Sequence, residues 1–232
     1  MKFTALLLLA LTSRACAMLG VDVSTPVSAA AASCMRAQHS IEFAVSRAWY
    51  SDGAGVDKAA ITSGAAFRAA GVAFDVYMFP CSFGLPAASQ VTQLLANLTA
   101  ASVEFGTLWM DIESNPDARC AWSANTTRNC AFLDELLAAA VAGVAPGQSV
   151  GVYSSIHMWT SLMTTPADPA GCTVGASRGL NLWYPHYENP PNPSFSDFKP
   201  FGGWTAPSIK QFGDGVPPGA LCGIGVDNNW KP

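Results

Sequence analysis

Asp111 and Glu113 stand two residues apart in Gly106-Thr107-Leu108-Trp109-Met110-Asp111-Ile112-Glu113-Ser114, an apolar run that otherwise reads as a buried strand. On a strand, residues i and i+2 point to one face, so both carboxylates look the same way, roughly 6.5–7 Å apart along the chain. Two anions that close repel unless one keeps its proton, and a retained proton beside an ionised neighbour is what paired acid and base chemistry needs. Leu108, Met110 and Ile112 make the opposite face aliphatic, while Trp109 shares the face of the acids. Ser114-Asn115-Pro116 is a turn signal, which puts the pair at the carboxyl end of its strand, where parallel α/β folds open their clefts. A solvated strand end would carry the same two acids but has little use for the tryptophan beside them.

These acids need a frame. Strand patterns at 20–24, 42–49, 73–79, 106–113 and 149–153 alternate with helical patterns at 29–38, 57–70, 87–101 and 127–143, which predicts a parallel sheet with right-handed crossovers. Beyond residue 156 the pattern thins to a short helix at 156–162 and strands at 180–184, 209–212 and 223–227, with Pro- and Gly-rich loops between them. Eight strands predict an α/β fold: a single modified TIM-like (β/α) barrel whose second half has mostly lost its helices. Asp22 lies in the first strand and Asp227 ends the eighth. Those strands adjoin in a closed barrel, so Asp22, Asp111, Glu113 and Asp227 meet at one mouth. Trp49, Tyr50, Tyr77, Trp183, Tyr184 and Tyr187 fall on the same strand ends. Sugar rings present C–H faces that stack on aromatic rings, so an acidic mouth rimmed by aromatics points to a carbohydrate ligand. Taken singly, each ring would serve as well in the core.

Charge argues in the same direction. Only 12% of the 232 residues are charged and the net charge is −4, with no block of Lys or Arg to attract nucleic acid. Lys2, the apolar run 5–11 and Ala15-Cys16-Ala17 read as a secretory signal peptide over residues 1–17, leaving 18–232 as one catalytic domain. The leader is too short to span a membrane and no later stretch offers about 18 unbroken apolar residues, so a soluble monomer with no membrane partner is expected. Its place would be the extracellular space or the lumen of a lysosome or phagosome.

Removal of Cys16 leaves Cys34, Cys81, Cys120, Cys130, Cys172 and Cys222, an even set that predicts three disulfides in an exported chain. Cys120 and Cys130 flank a short polar loop and are the expected bridge, contributing about 3 kcal/mol in the chain-entropy model. The other four leave three pairings open. There is no C-x-x-C, and His39, His157 and His186 lack ligand spacing, so no metal is expected. Asn97-Leu98-Thr99 and Asn125-Thr126-Thr127 are acceptor sites for N-glycans, whereas Asn192-Pro193-Ser194 is disqualified by its proline.

Gly20-Val21-Asp22-Val23-Ser24, Trp109-Met110-Asp111-Ile112-Glu113, Gly151-Val152-Tyr153-Ser154, Leu182-Trp183-Tyr184, Lys210-Gln211-Phe212 and Val226-Asp227-Asn228-Asn229 together resemble the glycoside hydrolase family 25 lysozymes, the Chalaropsis-type muramidases. The resemblance covers nearly all of 18–232, and Trp183-Tyr184-Pro185-His186-Tyr187 and the segment 197–204 are most similar to the nematode and protist branch. Thr25-Pro26-Val27-Ser28 departs from the bacterial pattern, which continues the first strand into a tryptophan, so the cleft wall there should differ. The resemblance implies hydrolysis of the β-1,4 bond between N-acetylmuramic acid and N-acetylglucosamine in peptidoglycan, without a cofactor. It also implies roles: Glu113 as the general acid, Asp111 assisting the substrate's own 2-acetamido group, and Asp22 and Asp227 holding hydrogen bonds and charge balance. Tyr77, Trp183, Tyr184, Tyr187 and Trp49 would line the saccharide. Two other readings share the same acids, a chitinase-like β-1,4-N-acetylglucosaminidase and a carbohydrate-binding barrel without turnover.

Overall fold

Period-two alternation sorts the strand side chains onto two faces, and a packed layer forms on each. Phe43, Val45, Trp109, Tyr153, Trp183 and Ile209 meet inside the sheet. Ala44, Leu108, Met110, Val152 and Leu182, their neighbours in sequence, pack outward beneath the helices. Gly20 and Gly151 make room for the inner rings, because a Cβ on either would run into Phe43 or Trp109. The computed structural model describes residues 17–232, and residues 214–220 by their backbone alone. The leader expected at residues 1–17, Cys16 included, lies outside the described residues save for Ala17.

The first half runs β1 (Met18–Val23), α1 (Ala29–His39), β2 (Ile41–Trp49), α2 (Ala59–Ala69), β3 (Ala73–Met78), α3 (Ala87–Ala100), β4 (Thr107–Asp111), α4 (Thr126–Gly143) and β5 (Ser149–Tyr153). The second half runs α5 (Ile156–Met163), α6 (Val174–Ser177), β6 (Asn181–Pro185), β7 (Ile209–Leu221) and β8 (Ile224–Lys231). The eight strands close in sequence order into a barrel, and the helices of the second half are short, as the sequence predicts. Ser28, Asn125 and Ser155 start α1, α4 and α5 by accepting the N–H of Ala31, Arg128 and Met158 at 3.2, 3.0 and 3.0 Å. Among the described residues no helix is long and apolar enough to cross a membrane.

Parallel pairing holds from β1 through β7 and then stops. Cys222 and Gly223 both take the left-handed conformation, with φ of 56° and 83°, and Leu221 pairs with Ile224 across them. Such a two-residue turn makes a hairpin, whereas a parallel crossover needs a dozen residues or more. β8 therefore runs antiparallel to both β7 and β1. The sequence alone ends the last strand at Asp227; in the structure Asp227 is mid-strand, directly opposite Asp22.

Three disulfides form, but the bridge between Cys120 and Cys130 is not among them. Cys81 pairs with Cys120, Cys130 with Cys172 and Cys34 with Cys222, at Cα separations of 4.4, 5.4 and 6.0 Å. Closeness along the chain misleads here because the direction of Cβ, not the loop length, decides which thiols meet. Cys120 closes a short 3-10 turn (Ala118–Cys120) that lies against the loop after β3, while Cys130 belongs to α4 and meets the segment that follows α5. The bridges over 39 and 42 residues each contribute about 4 kcal/mol in the chain-entropy model.

Candidate active site

Asp111 is the last residue of β4, and Glu113 follows the strand rather than ending it. The extended path nevertheless continues, since the Ile112 N–H donates to the Tyr153 carbonyl at 2.8 Å. Glu113 thus keeps the face of Asp111. The turn beyond is pinned from three sides. Ser154 Oγ donates to the Ile112 carbonyl at 2.7 Å, Trp122 Nε1 to the Glu113 carbonyl at 2.7 Å, and Asn115 Nδ2 to the Ser51 carbonyl at 2.8 Å. The sequence marks Asn115 only as a turn former and gives Trp122 no role.

Both acids open into a cavity of about 110 Å³ lined by Asp22, Tyr77, Asp111, Glu113, Tyr153, Trp183, Gln211 and Asp227. It adjoins a groove of about 450 Å³ that runs between Ser24-Thr25 and the stretch 223–227 of the β7–β8 hairpin, sharing Asp22, Tyr77 and Asp227. The four carboxylates expected at one mouth therefore do meet, and among the described residues no cationic side chain lines the cavity with them. Arg47 is near enough to act on Asp111, but its Nε donates to Asp57 at 2.8 Å.

Their protonation follows from burial. Asp111 is 6% exposed, and burial first, then the charges of Glu113 and Asp22, raise its pKa well above the usual carboxylate range. Burial and the charge of Asp227 raise Glu113 as well. Asp22 is pushed up to about 7 by burial and by Asp227, against the hydrogen bonds from Gln211 and Asn229 that pull it down. Repulsion between neighbouring acids is reciprocal, so ionisation of one makes the others hold their protons more firmly. Asp111 is the more enclosed, and Glu113 the more accessible. Burial and the nearby negative charges also raise Tyr77 and Tyr153, which keeps both phenols neutral.

Two amides organise the floor. Gln211 Nε2 and Asn229 Nδ2 each donate to Asp22 Oδ2 at 2.7 Å. Asn229 Oδ1 accepts the indole N–H of Trp183 at 2.8 Å, and Gln211 Oε1 accepts the hydroxyl of Tyr153 at 2.8 Å. Neither amide is singled out by the sequence beyond its place in a motif. The available signal is period two, which sets Asn229 on the face of Asp227.

The aromatic expectations divide. Tyr77 and Trp183 line the cavity, and Tyr187, 44% exposed and outside the cavity lining, donates its hydroxyl to Oε1 of Gln211, which lines it. Trp183 is also core: only 2% exposed, it meets Tyr153, Trp109 and Tyr77 edge-on at 4.5, 5.8 and 6.4 Å between centroids. Trp49 does not belong to the site. A β-bulge between Arg47 and Trp49 breaks the alternation of β2 and turns the indole outward, where it is 1% exposed in the outer core. Tyr184 does not belong either. As the neighbour of the inward Trp183 it points outward, where its hydroxyl donates to Asp197 at 2.9 Å. Tyr50 stacks on Arg47 at 5.0 Å, outside the cavity lining.

His186, Glu188 and Asp197 bring possible metal-ligand atoms within 4.8 Å of one another outside the barrel wall. The fully buried Lys210 supplies the cation there, donating from Nζ to Asp197 at 2.8 Å and Glu188 at 3.1 Å. The cluster fastens the long β6–β7 loop to β7.

A family model described as Lysozyme-like protein 1 matches residues 13–212. Probable GH family 25 lysozyme 2 of Dictyostelium discoideum is 37% identical over 236 residues, covering 100% of each chain. Lysozyme-like protein 5 of Caenorhabditis elegans is 34% identical over 216 residues, covering 92% of this chain and 91% of its own. Among solved structures, a family GH25 lysozyme from Aspergillus fumigatus superposes with a TM-score of 0.64 at 14% identity, covering 94% of both chains. A muramidase from Trichobolus zukalii does so with a TM-score of 0.64 at 15% identity over 93% of both. At such identity the structural likeness speaks to the fold.

Proposed function

This chain belongs to the glycoside hydrolase family 25 lysozymes and is a glycoside hydrolase, and from that premise we propose that it cleaves the β-1,4 bond between N-acetylmuramic acid and N-acetylglucosamine in bacterial peptidoglycan. The observation that carries the reading is the unequal pair on β4. Glu113 is accessible and its proton is retained by burial and by Asp227, as a general acid requires. Asp111 is enclosed, and its buried Oδ1 has no hydrogen-bond partner among the described residues. A buried acceptor left unmatched costs stability unless a ligand supplies the donor, and the N–H of a 2-acetamido group is such a donor.

The reaction then follows. Glu113 gives its proton to the glycosidic oxygen as the bond to the anomeric carbon breaks. The acetamido oxygen, aligned through its N–H by Asp111, forms the new bond to that carbon and takes up the positive charge. Water then opens the cyclic intermediate while the Glu113 carboxylate accepts its proton, restoring the starting state. Asp227 supplies the negative field that stabilises the cationic stages, and Asp22, which holds its proton up to about 7, anchors the hydrogen bonds of the floor. Tyr77, Trp183 and Tyr187 offer ring faces or edges to the sugars.

Export through the leader at 1–17, as a monomer active outside the cell or in a lysosomal or phagosomal lumen, fits three disulfides. Asn97 and Asn125 are exposed and open to glycosylation; Asn125 caps α4 through Oδ1, leaving Nδ2 for a glycan.

The test is loss of turbidity of a bacterial cell-wall suspension, run beside soluble chitin oligomers. Clearing of the walls is expected. Cleavage confined to chitin would move the assignment to the chitinase-like reading, and binding with no cleavage of either would make the protein a lectin.

A further inference from the structure

Gln211 lies on β7 with 3% of its surface exposed, and it spends both ends of its amide. Nε2 donates to Asp22 Oδ2 at 2.7 Å and to Asp227 Oδ2 at 3.4 Å. Oε1 accepts from the hydroxyls of Tyr153, at 2.8 Å, and Tyr187. Carboxylates accept and phenols donate, so the amide has one satisfying orientation: nitrogen to the acids, oxygen to the tyrosines. No other uncharged side chain of that length offers two donors at one corner and two acceptor lone pairs at the other.

We infer that Gln211 is a positioning residue that couples the acidic floor of the cavity to the ring of Tyr187 at its rim. This rests on the proposed hydrolase reading for its link to catalysis. Two consequences follow. With its hydroxyl turned inward to Gln211, Tyr187 meets a saccharide through its ring face, and the pose of that ring depends on the amide. Asp22 Oδ2 is occupied by two amide donors, so Asp22 exchanges its proton at Oδ1.

Groups facing Gln211 or acting on its acidic partners come from every side of the barrel. They are Asp22 on β1, Arg47 on β2, Tyr77 on β3, Asp111 and Glu113 at the end of β4, Tyr153 on β5, Tyr187 after β6 and Asp227 on β8. A carboxylic acid at position 211 copies the amide only while protonated, when its O–H donates to Asp22 and its carbonyl accepts from the tyrosines. Once ionised it becomes one more anion among four acids and has no donor to give.

The experiment compares Gln211→Glu, Gln211→Met and Tyr187→Phe with wild type across a pH series. Gln211→Glu is expected to stay within a few fold of wild type in acid and to lose activity at a lower pH than wild type does. Gln211→Met should lower kcat/KM by about tenfold or more at every pH, the scale of a buried hydrogen bond left unmade. Tyr187→Phe should raise KM without moving the pH profile, and should add little in the Gln211→Met background because the coupling is already gone. Melting temperature gives a readout that needs no turnover: the deficit of Gln211→Glu against wild type should widen as pH rises. Parallel pH profiles and parallel melting curves for Gln211→Glu would overturn the inference, as would independent, multiplying effects of Gln211→Met and Tyr187→Phe. An inactive wild type would count against the assigned reaction instead, and the melting curves would then decide this point alone.

Discussion

Asp22 and Asp227 are cross-strand partners at the antiparallel seam where β8 returns beside β1. Directly opposed residues in such a pair stand about 4.5–5.5 Å apart, and like charges there oppose the pairing. Burial first, and then the charge of Asp227, makes Asp22 hold its proton up to about 7, from an ordinary value of 3.8. Between those values the folded state binds a proton that the unfolded chain has released, so stability falls as pH rises. The contribution is complete below about 3.8 and gone above about 7. The melting temperature of wild type should therefore decline across that window, and Asp22→Asn should flatten the decline. Curves of equal slope would show that Asp22 does not carry the proton.

Glu113→Gln keeps the shape and hydrogen-bonding atoms of the side chain but has no proton to deliver. Turnover should fall by about 10²–10⁴-fold while wall binding and the melting temperature stay near wild type. Because burial and Asp227 hold the Glu113 proton, Asp227→Asn should shift the alkaline limb of activity to lower pH. Asp111→Asn should lower the whole profile, since its part is to orient the acetamido group. A substrate whose leaving group needs no protonation sharpens the assignment: it should partly rescue Glu113→Gln and leave Asp111→Asn impaired. The reverse pattern would exchange the two roles.

Non-reducing peptide mapping should yield Cys81–Cys120, Cys130–Cys172 and Cys34–Cys222 peptides. A peptide joining Cys120 to Cys130 would contradict the packing of the 3-10 turn against the loop after β3.

Three aromatic replacements should separate core from cleft. Trp49→Ala should cost about 3–5 kcal/mol of stability and leave saccharide affinity unchanged. Tyr187→Ala should weaken affinity with a small change in melting temperature, given its 44% exposure. Trp183→Ala should do both, because it lines the cavity and packs among three other rings. A loss of affinity in Trp49→Ala would mean that the bulge in β2 does not turn it outward.

Local pattern carried the reading of the first half: each strand there alternates cleanly and each helix follows within a few residues, so the barrel and the meeting of its four acids were within reach. Features that depend on closure were not. Trp49 obeys alternation until a bulge reverses it, and nothing in Arg47-Ala48-Trp49 announces the bulge. Tyr184 adjoins Trp183, so the two could never share a face, a constraint that period two already contains. Cys222-Gly223 lacks the usual Asn-Gly or Asp-Gly signature, which hid the hairpin and with it the direction of β8. Gln211 and Asn229 acquire their tasks only once β1, β7 and β8 lie side by side, 189 and 207 residues apart along the chain from Asp22.

The bridge between Cys34 and Cys222 spans 188 residues and joins α1 to the hairpin turn. Hydrolysis of any one peptide bond between those cysteines leaves both fragments covalently attached. A protease acting on a loop between them therefore nicks the barrel without releasing a piece, and two such cuts free the segment between them only when it holds both or neither cysteine of each of the bridges Cys81–Cys120 and Cys130–Cys172. The link between α1 and the hairpin turn thus holds the barrel in one covalent piece through a first cleavage between them.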